Sequence, residues 1–379
     1  MPPLPDLADY STVHVFTHFE DARADWLALS QAATISPYQS FEFLSAWFDA
    51  FGASEGVTPY LIVARDAADR PSALLPLCTI RKGAVTLAAF LGGREANFNL
   101  PLLRPDRRHD EAGLRWLLRE AARRAPSPPD AFFLRNQPRE FDGARNPLLF
   151  TEARPSASFG YATALPETID GLTSRLSKET RKKLRKKEAR LAELGPVAYE
   201  HRIAGQRGHA LVTALLEQKS ARFAAVGTTR RRSLSALLHG LLEAQEDGVL
   251  ELHGLSVDGR FVAAYAGVRR NGRFSAMLNS FDTDEEIARC SPGDLLLHAL
   301  MRNLTARRMT HFDLGVGEAR YKRAVCDETI PLYDVVLPLS ARGVLAAPLI
   351  SSYLRLKRRA KNTPAVVRCY YRLVALLGR

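Results

Sequence analysis

Residues 251–282, ELHGLSVDGRFVAAYAGVRRNGRFSAMLNSFD, constrain this chain more than any other stretch. Three apolar-rich runs are separated by DGR and NGR, and Asp-Gly and Asn-Gly are strong hairpin signals because both residues tolerate left-handed backbone. A polar loop follows, then a helix that opens at Ser291-Pro292-Gly293 and runs through DLLLHALMRNLTARR, then the strand THFDLG at 310–315. Strands that meander, pass through a helix and return to a strand belong to a mixed α/β layer. The first half has a similar rhythm. LIVARD (61–66), SALLPLCTI (72–80) and VTLAAFLGG (85–93) read as strands, residues 110–124 as a helix and AFFLR (131–135) as a strand. VARDAADRPSALLPL and GLSVDGRFVAAYAGV share a strand, an Asp/Arg turn and a strand, a weak internal repeat that favours two similar halves.

The length of 379 residues also calls for about two domains. The expected division is 1–155, a linker with a basic helix at 156–207, a second domain at 208–343, and a basic helical tail at 344–379. The helix over PYQSFEFLSAWFDAFG (37–52) is expected to start at Ser40 and to stop at Gly52. No apolar run approaches the ~18–20 residues that span a bilayer, and the first residues lack the pattern of a secretory leader. The four cysteines are far apart with no CxxC pair, which argues against a disulfide framework or a zinc site and fits the cytoplasm. His14 and His18 fall on a strand-like segment where a four-residue spacing does not converge, so no metal is expected. No GxxxxGK, HExxH or GxSxG occurs, which disfavours P-loop NTPases, zinc proteases and serine hydrolases.

The net charge of +12 is concentrated in two places. Arg175–Arg190 holds nine Lys/Arg against two Glu, and the chain from Arg342 to its end holds nine Lys/Arg with no acidic residue after Asp334. Two basic surfaces imply anionic partners. The helix over 174–194 is charged nearly all round, so it is either simply solvated or holds donor phosphates, a nucleotide-linked sugar or RNA through residues such as Lys182. The tail alternates apolar and basic residues, which suits either packing on the body or peripheral contact with an anionic membrane.

The stretch from Asn279 to Lys322 carries the chemistry. Proline suits the first turn of a helix, glycine lets a ligand approach, and the free amides of a helix start attract a pyrophosphate. This order of strand, loop, helix and strand resembles the coenzyme A seat of GNAT acetyltransferases. The usual Gln/Arg-x-x-Gly-x-Gly/Ala loop is absent, and Arg289-Cys290-Ser291-Pro292-Gly293 is a partial substitute. Five blocks in order, PYQSFEFLSAWFDAFG, FLGG, SRLSKETRKKLRKKEARLAELG, FDTDEEIARCSPGDLLLHAL and FDLGVGEARYKRAVCDE, resemble the CelD-type acetyltransferase-like family, associated with cellulose and exopolysaccharide production and related to Fem-type aminoacyltransferases. The resemblance covers roughly residues 25–340. It implies a tandem GNAT α/β fold and an acyl-CoA (acetyl-CoA) or an acylated carrier as donor. The acceptor would be an amine or hydroxyl, on a sugar or nucleotide-linked sugar. The alternatives are an aminoacyl-tRNA donor, as in Fem-type proteins, or a non-catalytic assembly factor at the membrane.

Direct attack on a donor carbonyl needs a base, an oxyanion partner and an acid for the thiolate. Asp282 ends the strand that feeds the SPG loop and either serves as base or caps that loop. Tyr321, after the Gly315-Val316-Gly317 turn, matches the usual place of the GNAT acid, with Glu318 close by. Ser291, Gly293, Asp294 and Lys322 are expected at the donor. Asp313 either faces a polar cleft or makes a structural hydrogen bond. Gln39 and Asn97 are expected in an acceptor groove between the halves, and Tyr265 in the core.

Overall fold

The structure, a computed structural model, describes residues 7–222, 228–244, 248–317 and 320–363. Residues up to Phe159 together with those from Ile330 onward form one compact unit, and Gly160–Thr329 form the other. These breaks differ from the expected boundaries at 155, 207 and 343, because the basic helix packs within the second unit and the last strand returns to pair within the first.

The first unit begins with β1 (Thr12–Phe16) and α1 (Phe19–Ala32), whose Ala22, Trp26 and Leu29 share a buried face at helical spacing. The helix α2 (Phe41–Glu55) is capped as expected, because the Ser40 hydroxyl accepts the Phe43 amide at 3.3 Å. It does not stop at Gly52. It runs one turn further to Gly56, whose φ of 61° supplies the left-handed cap. The strands β2 (Val57–Arg65), β3 (Pro71–Lys82) and β4 (Val85–Phe90) form an antiparallel meander, and β5 (Leu102–Leu103) adds to β3. Next come α3 (Glu111–Arg124), capped by Asp110, and β6 (Ala131–Pro138), parallel to β4. A small hairpin, β7 (Glu140–Phe141) and β8 (Ala144–Arg145), precedes β9 (Arg154–Ala164), which leads into the second unit. The apolar faces of β2, β3 and β6 and of α3 meet in one core, with Ile62, Leu75, Phe132 and Leu117 fully buried. At roughly 2 kcal/mol for each fully buried large side chain, this core is the main stabilising term of the unit.

The second unit continues with α4 (Ile169–Ser174) and the basic helix α5 (Lys178–Ala192), capped by Ser177. Then follow β10 (Val197–His201), α6 (Gly205–Arg222) and α7 (Thr228–Glu243). The meander β11 (Leu250–Val257), β12 (Arg260–Arg270) and β13 (Arg273–Phe281) has its turns at DGR and NGR. Asp258 and Asn271 both take positive φ there, 48° and 46°. The chain goes on through α8 (Glu285–Arg289), α9 (Pro292–Ala306), β14 (His311–Val316) and α10 (Arg320–Val325). Within this unit the strand order is β10-β11-β12-β13-β14-β9, with β14 parallel to β13 and residues 160–164 of β9 antiparallel to β14. The basic helix belongs here and not to a linker: α5 packs on α9, and Lys187 Nζ lies 2.8 Å from the Asp294 carboxylate.

The chain then returns to the first unit with β15 (Glu328–Pro338) and α11 (Ala341–Asn362). β15 pairs antiparallel with β6, so that unit reads β1-β2-β3-β4-β6-β15. Each unit is therefore a mixed sheet with helices on it, and both have the same strand logic. No cluster of three His, Cys, Asp or Glu forms among the described residues.

Candidate functional site

Two parallel strands that part early leave backbone groups for a ligand. β13 pairs with β14 over three residues only, Arg273–Ser275 against His311–Asp313. β13 then runs on to Phe281 and β14 to Val316 with no further pairing between them. Along its other edge β13 changes register: Ala266 lies opposite Leu278, whereas Gly267 lies opposite Ala276. Met277 is therefore the extra residue of a β-bulge, a device that re-aims backbone groups at functional sites. The closed end of the divergence is held by a buried polar cluster. The Asp313 carboxylate accepts from Arg273 Nη1 at 2.7 Å and from Ser275 Oγ at 2.8 Å. Asp313 thus fastens the two strands together. It is fully buried, and the structural hydrogen bond, not the polar cleft, is what the geometry shows for it.

α9 begins at the end of this divergence. Ser291, its N-cap, has φ 51° and ψ 58°, a left-handed conformation uncommon for serine, and its hydroxyl makes no cap bond. Strain of this kind gathers at ligand-binding turns. Pro292 has no amide proton, and the Asp294 and Leu295 amides both donate to Ser291 O, at 3.0 and 3.3 Å. Gly293 follows in the first turn, where a helix amide has no acceptor within the helix and the dipole lies behind it. A side chain at Gly293 would crowd Phe281, since a Cβ there lies 3.1 Å from its Cδ1. Asp294 itself is exposed and engaged by Lys187. Through that ion pair it brings the cationic α5 to the first turn of α9, which offsets the charge of any phosphate held there.

A second group of polar side chains comes from β12, β13 and α10. Tyr265 is buried (3% exposed) on β12, and its hydroxyl accepts the Asn279 amide at 3.3 Å. The Tyr265 hydroxyl is also hydrogen-bonded to Tyr321 on α10, and burial holds its pKa well above the usual phenol value. Asn279 donates to Tyr265, and the Tyr265 and Tyr321 hydroxyls share a hydrogen bond in which either can be the donor. Beside Tyr321, Lys322 turns inward: its Nζ donates to Gly315 O and Val316 O, both at 3.3 Å. Burial pushes its ammonium down to about 8. Lys322 is thus a buried prop between α10 and the end of β14, not an exposed phosphate ligand.

The structure brings Ser291, Gly293, Asp294, Tyr321, Lys322 and Asp313 into one unit around β13, β14 and α9. Asp282 lies in the same unit, at the end of β13, but its carboxylate binds Arg260 and accepts the Asp284 amide at 2.9 Å. It caps the loop. Lys182 is exposed on α5. Gln39 and Asn97 lie in the other unit. Gln39 is buried and spans from Ser36 Oγ to Phe98 O, at 2.5 and 2.7 Å, and Asn97 donates to Tyr38 Oη at 2.5 Å. Glu318 lies outside the described residues. Sequence reasoning placed Tyr265 in the core and passed over Asn279 and Met277. Tyr265 carried a signal, because a buried tyrosine among alanines in AAYAG needs a partner for its hydroxyl. A bulge has no sequence signal of that kind.

Residues 178–323 match the family described as Acetyltransferase (GNAT) domain. No curated protein sequence matches the chain. Solved structures do, at low identity. FemX is 10% identical with a TM-score of 0.54, over 86% of this chain and 97% of that one. A conserved protein of unknown function from Bacteroides thetaiotaomicron is 14% identical with a TM-score of 0.53, over 86% and 100%. The C-terminal domain of a putative lysylphosphatidylglycerol synthetase from Agrobacterium fabrum is 14% identical with a TM-score of 0.50, over 89% and 97%. The chain shares their fold over most of its length, and the part that holds the diverging strands, α9 and the tyrosine pair lies within the stretch that matches the GNAT acetyltransferase domain.

Proposed function

We propose that this protein is an acyltransferase that moves an acyl group from a coenzyme A thioester, acetyl-CoA foremost, to an amine or hydroxyl. The observation that carries this reading is the early divergence of β13 and β14 beside the bulge at Met277. The donor's extended arm enters that gap and takes up strand-like hydrogen bonds. Its pyrophosphate lies at the Gly293 amide, next to the cations of α5. The bulged backbone at Met277 and Leu278 offers an amide to the thioester oxygen, where charge develops in the transition state.

The acceptor's nitrogen or oxygen attacks the thioester carbon, the new C–N or C–O bond forms, and the C–S bond breaks. The leaving thiolate takes its proton from Tyr321, the acceptor's own N–H or O–H proton passes to solvent and from there restores the Tyr321 hydroxyl, and the pair Tyr265 and Asn279 holds that hydroxyl in place. The Asp282 carboxylate is already engaged by Arg260 and the Asp284 amide, so an amine that arrives neutral suits the site better than one that needs a strong base. The resemblance to the CelD-type family favours a sugar or nucleotide-linked sugar as acceptor and an envelope or exopolysaccharide setting in the cytoplasm.

One observation favours a second donor. The cations of α5, Lys182, Lys183 and Lys186 among them, line a helix beside α9, which suits the phosphates of an aminoacyl-tRNA. Binding of tRNA that falls steeply with salt and is lost in a Lys182→Ala/Lys183→Ala/Lys186→Ala variant, without any acyl-CoA binding, would replace the coenzyme A reading with this one.

Calorimetric titration with acetyl-CoA and longer acyl-CoAs tests the proposal. Micromolar binding is expected, weakened at least ~30-fold by Gly293→Trp. Tyr321→Phe is expected to keep donor affinity within about threefold while lowering kcat about 100-fold, followed as free thiol release. Absence of binding by every acyl-CoA would leave a non-catalytic assembly factor or the tRNA reading.

A further inference from the structure

α11 carries an apolar stripe that nothing among the described residues covers. Val344, Leu345, Leu349, Tyr353 and Leu356 are 59–74% exposed, whereas the next most exposed large apolar side chains, Leu194 and Leu27, reach only 40% and 36%. Leu345, Leu349, Tyr353 and Leu356 recur at three- and four-residue spacing, so they lie along one side of the helix. The opposite side, with Gly343, Ala346, Ile350 and Leu354, faces the first unit, where α11 packs on β4 and β6.

The helix is also fixed at both ends, so the stripe is not a loose segment awaiting its place. Ser340 caps it by accepting the Gly343 amide at 3.1 Å and donates to the Asp130 carboxylate at 2.5 Å. At the other end Lys361 Nζ reaches Ser158 Oγ at 2.7 Å. Toward that end the stripe is flanked by exposed Arg355, Arg358 and Arg359. The helix has no Asp or Glu. No helix among the described residues is long and apolar enough to cross a membrane. An exposed apolar face beside clustered arginines, on a helix that cannot span, fits the plane of an anionic bilayer surface: leucines enter the acyl boundary and guanidiniums meet the headgroup phosphates.

We propose that α11 is an in-plane membrane-binding helix that seats the protein on an anionic lipid surface. Apolar side chains supply insertion, and the cationic residues supply preference for anionic over zwitterionic lipid. The proposal is independent of the transfer reaction, since it concerns a surface of the other unit.

The test is co-sedimentation of the full chain with vesicles of phosphatidylglycerol in phosphatidylcholine, against phosphatidylcholine alone, with sedimentation velocity in parallel. Binding is expected to the anionic vesicles and at least ~10-fold weaker to the zwitterionic ones. Leu345→Glu/Leu349→Glu is expected to reduce it at least ~30-fold with acyl-CoA affinity unchanged, and Arg355→Gln/Arg358→Gln/Arg359→Gln by about fivefold per charge. Should the leucine variant unfold, the emission of a Tyr353→Trp chain decides: it shifts to the blue with anionic vesicles if the stripe inserts. No binding, binding that survives the leucine variant, or a Trp emission that does not move would overturn the proposal. So would a dimer abolished by that variant in a chain that ignores vesicles, because a second copy would then cover the stripe.

Discussion

The two units share one plan and differ at one place. In each, an antiparallel meander is followed by a helix and by a strand parallel to the meander's last member. In the second unit the parallel pair is pinned by a buried polar cluster, Asp313 with Arg273 and Ser275, and β13 bulges at Met277. In the first, β4 meets β6 through Leu87, Ala88, Ala131 and Phe132, and β3 and β4 keep an unbroken register. The first unit also fills the ground beyond with its own chain. The Asn99 backbone amide donates to Asn136 O at 3.1 Å and its side chain to Arg135 O at 2.9 Å, so a loop takes hydrogen bonds on β6. Gln39 fixes that loop through Phe98. The same scaffold is thus closed by its own loop in one unit and kept divergent in the other, which is why fold alone does not assign chemistry.

The largest expected effect comes from Asp313→Ala. It removes the carboxylate that meets the buried Arg273 guanidinium, and it should cost about 3–5 kcal/mol of stability by denaturant titration. A variant that melts like the parent chain would remove the polar pin from the comparison. Next is Lys322. Its ammonium falls from the ordinary 10.5 to about 8 in the folded chain, so between those values the unfolded chain binds the extra proton. Stability should therefore rise with pH from about 8 to 10.5, by up to about 3 kcal/mol relative to Lys322→Met. A parent chain whose pH profile matches that variant's would contradict the buried prop. Smaller is Tyr265→Phe, which frees Tyr321 to rotate and should lower kcat about tenfold with KM for donor unchanged. An unchanged kcat would show that Tyr321 acts without its neighbour. Smallest is Asn99→Ala, expected to cost about 1 kcal/mol and to leave donor affinity untouched. New acyl-CoA binding in that variant would show that the loop alone closes the first unit.

Much of this was legible beforehand, unevenly. The meander and its turns follow from Asp258-Gly259 and Asn271-Gly272, where local turn chemistry dictates backbone, and Pro292 fixes the start of α9. Gly52 misled because a glycine can sit inside a helix when its face is buried, and the left-handed cap needed at Gly56 is set by where β2 must begin. Asp282, Asp313 and Gln39 show the harder limit. A strand pattern says which side a carboxylate or amide faces, but not whether an arginine from another strand or a distant carbonyl is waiting there. Arg260, Arg273 and Phe98 are those partners, 22, 40 and 59 residues away. The comparison between units was hidden for the same reason, since the hydrogen bonds of Asn99 to β6 reach across 36 residues or more.

Amide hydrogen exchange of the full chain with and without acetyl-CoA tests the central claim most directly. Protection is expected at 276–281 of β13 and at Gly293 in the first turn of α9, with no change at 97–100 or 135–136. Protection confined to the first unit's loop, with β13 and α9 exchanging as before, would contradict it.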